Sequence, residues 1–137
     1  MGNHNPIYKS YTKWLDFASD DLSWTKANLK EKVWYGACFT AQQAGEKALK
    51  AYLISKERDI KKIHDLRAIL EECIEIDQSF EHLREECATL NTYYAPTRYP
   101  DIAEFIHFTE ERAEEAYIMA DMIVEFVKNK LASKGSQ

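Results

Sequence analysis

The segment Tyr93-Tyr94-Ala95-Pro96-Thr97-Arg98-Tyr99-Pro100-Asp101 sets one arginine between two prolines and among three tyrosines. A guanidinium is permanently charged, carries five donors in a planar fork, and suits phosphate or carboxylate. Tyr94 and Tyr99 offer ring faces on which a nucleobase stacks. Asp101 stands close enough in sequence to hold the arginine in place by pairing with it. Proline fixes φ, removes a donor and disfavours helix at the residue before it. The spacing therefore predicts a stiff, non-helical connection that carries Thr97, Arg98, Tyr99 and Asp101. Two readings follow: an anion clamp displayed by rigid backbone, or a helix-ending turn whose arginine pairs with a nearby acid.

Metal-free transfer at a phosphate ester needs a base for the attacking hydroxyl and a cation for the phosphate. Histidine titrates near neutrality, so His107 and His64 are the candidate catalytic bases beside Arg98. His107, between Ile106 and Phe108, fits an interface or core histidine equally well, and His64 fits a helix cap. Lys47 and Lys50 with Arg98 would form a basic face for a nucleotide or an RNA end, walled by Tyr94 and Tyr99. No glycine-rich phosphate loop is present, so binding of this kind would rest on side chains. Neither Cys-x-x-Cys nor His-Glu-x-x-His occurs, so no metal site and no cofactor is expected. Cys38, Cys73 and Cys87 are odd in number and embedded in apolar patterns, which predicts buried free thiols.

The chain has 137 residues, 45% hydrophobic and 30% charged, as expected of one globular domain with a real core. Its net charge of −5 argues against a sequence-blind nucleic-acid coat, and nothing signals DNA in particular. Charge is segregated: Lys47 to Lys62 is mostly basic and Glu71 to Glu86 mostly acidic. These blocks read either as solvated helix faces or as a local anion-binding face. No apolar run approaches the ~20 residues of a membrane span, and the N-terminus lacks a signal-peptide stretch. The expected location is cytoplasmic.

Helical spacing runs nearly throughout. Tyr11, Trp14, Leu15, Ala18, Leu22, Thr25 and Leu29 define a first amphipathic helix near Tyr8 to Leu29, with Asp20 and Asp21 outward. A second, about Trp34 to Lys56, carries Ala37, Ala41, Ala44, Ala48 and Ala51 on one face. Small side chains let a neighbour approach closely, so this helix belongs at the centre of a bundle. Gln42, Gln43, Glu46, Lys47 and Lys50 form either its wet side or the lining of a groove or interface, with Glu46 and Lys50 paired outside. A third helix spans roughly Asp65 to Ile76, capped by Asp65 or His64. A fourth starts at Asp77 or Ser79, turns Phe80, Leu83, Cys87, Leu90 and Tyr94 inward, and stops before Pro96. The last starts at Thr109, with Glu110 and Glu111 in its first turn. The expectation is an all-α, up-and-down bundle of about five helices with a four-helix core over residues 8–132, and flexible ends at 1–7 and 133–137.

Gln42-Gln43-Ala44-Gly45-Glu46-Lys47-Ala48-Leu49-Lys50-Ala51 resembles the Q-x-A-E-K-A-L-K-A helix of HEPN domains. His64-Asp65-Leu66 is similar to their H-D-L element, and Arg98-Tyr99-Pro100-Asp101 to the R-Y-P-D signature of one branch. The elements come in the family's order over about Tyr11 to Leu131. The resemblance implies a small all-α bundle that pairs as a homodimer. It also implies a nucleotide- or RNA-related role beside a minimal nucleotidyltransferase, in arrangements like toxin–antitoxin pairs, with a non-catalytic dimeric interaction module that only presents a surface to such a partner as an alternative. Many members are metal-independent endoribonucleases marked by an arginine, four to six residues, and a histidine. Here eight residues separate Arg98 from His107, and Pro100 interrupts them. Gly45 stands where the family's helix usually has alanine, at a propensity cost of up to ~1 kcal/mol.

Overall fold

The computed structural model describes residues 10–60, 62–103 and 107–134. All regular structure among them is helical: α1 (Tyr11–Lys30), α2 (Trp34–Ser55), α3 (Leu66–Ile76), a 3-10 turn (Gln78–Leu83) running into α4 (Arg84–Asn91), α5 (Tyr94–Arg98), α6 (Pro100–Ala103) and α7 (Glu110–Lys134). Helices α1, α2, α7 and the shorter α3–α4 pair build the body, with α2 in contact with all the others of that body. The expected flexible segment 1–7 lies outside the described residues, as does everything after Lys134.

The alanine stripe explains the centre. Ala37, Ala41, Ala44, Ala48 and Ala51 of α2 are fully buried, and so are Ala113, Ala116 and Ala120 of α7. Two small-residue faces meeting let the helix axes approach closely. Larger side chains fill the other end, where Phe80 lies 4.5 Å from Tyr52 and 5.0 Å from Phe126 between ring centres. All three cysteines are buried and free. Burial pushes the thiols of Cys38 and Cys87 up to about 12, so neither is a nucleophile near neutrality.

The ends of α1 and α2 share one device. Lys32 (φ 63°) and Glu57 (φ 61°) adopt the left-handed conformation just past each helix. The amides of Val33 and Arg58 then donate to Asn28 O (2.8 Å) and Leu53 O (3.0 Å), closing the last turns. The first of these turns folds α2 straight back along α1. Asp65 caps α3 by accepting from the Arg67 amide at 2.9 Å, Asp77 caps the 3-10 turn through Ser79, and Thr109 caps α7 through Arg112.

Two expectations about elements are corrected. The fourth helix ends at Asn91, short of Tyr94, and its first part is a 3-10 turn. The Arg98 connection is helical, in two pieces. Pro96 is the third residue of α5 and Pro100 the first of α6. First-turn amides have no intrahelical acceptor, so proline loses nothing there, and its fixed φ favours the turn.

Candidate functional site

The site begins with two helix registers. On α5, Tyr94 and Arg98 are four residues apart and share a face. Arg98 folds back so that its guanidinium carbon lies 3.7 Å from the Tyr94 ring centre and its Nη1 donates to Tyr94 O at 2.9 Å. On α2, the Phe39 ring centre lies 4.9 Å from the same guanidinium carbon. The cation thus meets two aromatic rings. Among the described residues it pairs with no carboxylate, and Asp101, expected to hold it, is exposed.

The column extends both ways. His64, just before α3, stacks on Tyr94 at 5.1 Å with the planes 16° apart. Trp24 of α1 meets Phe39 edge-on at 6.3 Å. A cavity of about 420 Å³ opens beside His64 and Tyr94, with Ile63, Asp65, Asn91 and Thr92 in its walls. A second, of about 310 Å³, opens on the Trp24 and Phe39 side and reaches Thr97. Tyr94 lines the first cavity and Phe39 the second.

Behind the column runs a buried polar ladder, where the sequence pattern leaves open a wet side or the lining of a groove. Gln42, Glu46 and Lys50 follow at four-residue intervals on α2 and are each at most 5% exposed. The Glu46 carboxylate accepts from Gln42 Nε2 (3.2 Å), from Lys50 Nζ (2.9 Å) and from the Nδ1 of His64 (2.8 Å). Asp21, also expected outward, is buried on α1 and accepts from Lys47 Nζ at 2.8 Å. The basic face expected from Lys47, Lys50 and Arg98 is therefore rearranged. Lys47 and Lys50 are matched by buried carboxylates, Lys47 also lying 5.7 Å from the Phe17 ring centre, whereas Arg98 meets only π faces and a backbone carbonyl among the described residues. A carboxylate buried without a partner is costly, which is why Asp21 and Glu46 face lysines.

Of the residues singled out from sequence, Arg98, Tyr94 and His64 come together, with Lys50 one Glu46 carboxylate away from His64. Tyr99, just past the end of α5, is exposed. His107 is exposed on the connection before α7 and shares no hydrogen bond, ion pair or ring contact with Arg98. Phe39, Glu46 and Asn91 are additions. Glu46 had a signal: three polar residues four apart, flanked by alanines, cannot all reach water on a helix buried on most sides. Phe39 had none beyond its apolarity.

An all-α bundle with an aromatic-clamped arginine beside a polar helix defines the class of protein, and comparison gives the family. The chain matches the family model described as HEPN domain over residues 11–130. It belongs to the HEPN family. Among curated proteins none matches. Among solved structures it is similar to TT1696 from Thermus thermophilus, with 34% identity and a TM-score of 0.80 over 88% of this chain and 98% of that one. It is also similar to ST0689, an archaeal HEPN homologue, at 27% identity and a TM-score of 0.70, covering 88% and 96%. No helix among the described residues is long and apolar enough to cross a membrane.

Proposed function

We propose that this chain is a nucleotide- or RNA-binding HEPN protein that works as a homodimer beside a minimal nucleotidyltransferase. The observation that carries the binding is Arg98. Its guanidinium is held against the Tyr94 and Phe39 rings, with one N–H engaged by a backbone carbonyl and no described carboxylate to neutralise it. Flat faces preserve a guanidinium's charge while fixing its orientation, so the remaining donors stay available to a phosphate. Family membership supports a role in this area, and the nucleotidyltransferase partner follows from the R-Y-P-D resemblance. The test is thermal unfolding with mononucleotides and short oligoribonucleotides. A ligand-dependent rise in melting temperature, absent in Arg98→Ala, is expected. No rise with any of them refutes the reading. Co-purification with a co-expressed nucleotidyltransferase from the same operon checks the partner.

A second reading, metal-independent RNA cleavage, draws on the contact between His64 and Glu46. Nδ1 of His64 is tied to a buried carboxylate, which leaves Nε2 to the cavity side. In that chemistry Nε2 takes the 2′-hydroxyl proton and the 2′-oxygen attacks phosphorus. The 5′-oxygen then leaves and is protonated from solvent, giving a 2′,3′-cyclic phosphate and a 5′-hydroxyl. Arg98 would stabilise the charged phosphorane oxygens. Incubation of single-stranded RNA with the protein in EDTA, with end-group analysis, decides it. RNA left intact at high protein concentration removes it.

A further inference from the structure

His64 has one ring face on Tyr94 and its Nδ1 edge on Glu46, yet 45% of its side chain is exposed. The exposed area must then lie on the opposite ring face and the Nε2 edge. That area borders the cavity of about 420 Å³. The ring cannot swing away freely, because Glu46 is itself locked by Lys50 and Gln42. A flat, rigid, half-exposed ring at the end of an aromatic–guanidinium column, next to a cavity, is what a planar ligand needs.

The walls supply matching chemistry. Asn91 commits its Oδ1 to the Leu66 amide (2.9 Å), which leaves its amide N–H donors toward the cavity. Thr92 donates its hydroxyl proton to Thr89 O (2.6 Å), so its oxygen remains an acceptor. Asp65 puts a carboxylate in the same wall, but Arg67 matches it at 3.4 Å, so the cavity presents no unmatched negative charge to a phosphate.

We propose that His64 is a stacking platform for a nucleobase of single-stranded RNA, which lays its ring on the open imidazole face between Asn91 and Thr92 while its phosphate runs along the Tyr94 edge toward Arg98. The platform rests on the RNA-binding reading above and names the subsite that holds the base. Stacking accepts any base, since each has a π face, so base identity matters little here.

The experiment uses a fluorescein-labelled penta-uridylate and the same backbone made abasic, titrated by anisotropy against the full chain. Wild type should bind the base-bearing strand roughly tenfold or more tighter than the abasic one. His64→Ala should bring the two within about twofold of each other, and His64→Phe should restore the gap. Both variants break the bond to Glu46, so only the ring distinguishes them. Equal binding of the two strands by wild type, or an undiminished gap in His64→Ala, overturns the platform. If that equal binding still depends on Arg98, the RNA-binding reading survives without it. If wild type binds neither strand, both fall. The wild-type comparison alone remains decisive where a variant fails to fold.

Discussion

The Arg98 guanidinium carbon sits 3.7 Å from the centre of the Tyr94 ring, with the backbone of the same tyrosine accepting from its Nη1. One residue therefore supplies both the face that holds the cation and the carbonyl that fixes its rotation. A lysine reproduces the charge but neither the plane nor the fork. Arg98→Lys should weaken nucleotide or RNA binding nearly as much as Arg98→Ala, by roughly tenfold or more, while unfolding free energy falls by no more than about 2 kcal/mol in either. Binding preserved in the lysine variant would mean that charge alone suffices and the stack is incidental.

Asp21 makes folding stability depend on acidity in an unusual direction. Burial lifts its carboxyl above the ordinary 3.8, and the hydrogen bond from Lys47 pulls it back only in part. A group raised in the folded state favours folding most below 3.8, and that contribution is lost as pH rises through the folded value. Asp21→Asn keeps the shape without the charge. The unfolding free energy of wild type minus that of Asp21→Asn should fall as pH rises from about 3 to about 6, read by urea titration at each pH. A flat difference refutes the assignment. Lys47→Met, which removes the compensating ammonium, should cost about 3 kcal/mol at neutral pH.

Periodicity made the bundle legible, because each body helix buries a stripe that repeats at helical spacing. The α2 alanines, the Asp65, Asp77 and Thr109 caps, and the buried thiols are all readable from local pattern. Arg98, Tyr94 and His64 are visible as types. Their meeting is not, since it depends on how α3's entry packs against α5. The departures share a cause. Asp21, Glu46 and Lys50 read as solvated because charged residues usually are, but α2 is covered on almost every side, so its polar residues must find partners inside. The proline rule holds for helix interiors, whereas Pro96 and Pro100 occupy first turns, where it is relaxed.

Glu57 offers a stabilising change through the backbone. It holds φ 61° after α2, a conformation costing a side-chain-bearing residue roughly 1 kcal/mol that glycine does not incur. Glu57→Gly should raise unfolding free energy by about 0.5–1 kcal/mol, despite glycine's greater freedom when unfolded. Lys32→Gly should act alike. A loss of stability in both would mean these side chains contribute more through contacts than their backbone costs.

Gly45 sets a different balance. A Cβ there would lie 3.3 Å from Ile123 Cδ1 and 3.5 Å from Leu90 Cδ1, tighter than comfortable but not blocked. Alanine gains up to about 1 kcal/mol of helix propensity and loses part of it by displacing Ile123. Gly45→Ala should change stability by less than about 1 kcal/mol, whereas in the Ile123→Val background, which removes that Cδ1, the same change should be clearly stabilising. Equal effects in both backgrounds would show that the methyl contact does not govern the site.

The exposed aromatics point to where a second copy would sit. Phe17 and Trp24 are seven residues apart on α1 and share its outer face, 58% and 54% exposed, and Tyr35 and Tyr99 are 57% and 52% exposed. Trp24 contacts Phe39, which in turn holds Arg98, so a dimer formed on this face would border the candidate site. Phe17→Glu should shift the chain from dimer to monomer in sedimentation velocity at micromolar concentration, with its circular dichroism unchanged. Ile118→Glu alters an equally exposed residue (57%) on α7 and should leave association untouched. If the wild type sediments as a monomer, the homodimer is wrong. If Ile118→Glu rather than Phe17→Glu dissociates it, the dimer forms through α7, and the Arg98 column faces solvent in the assembled protein.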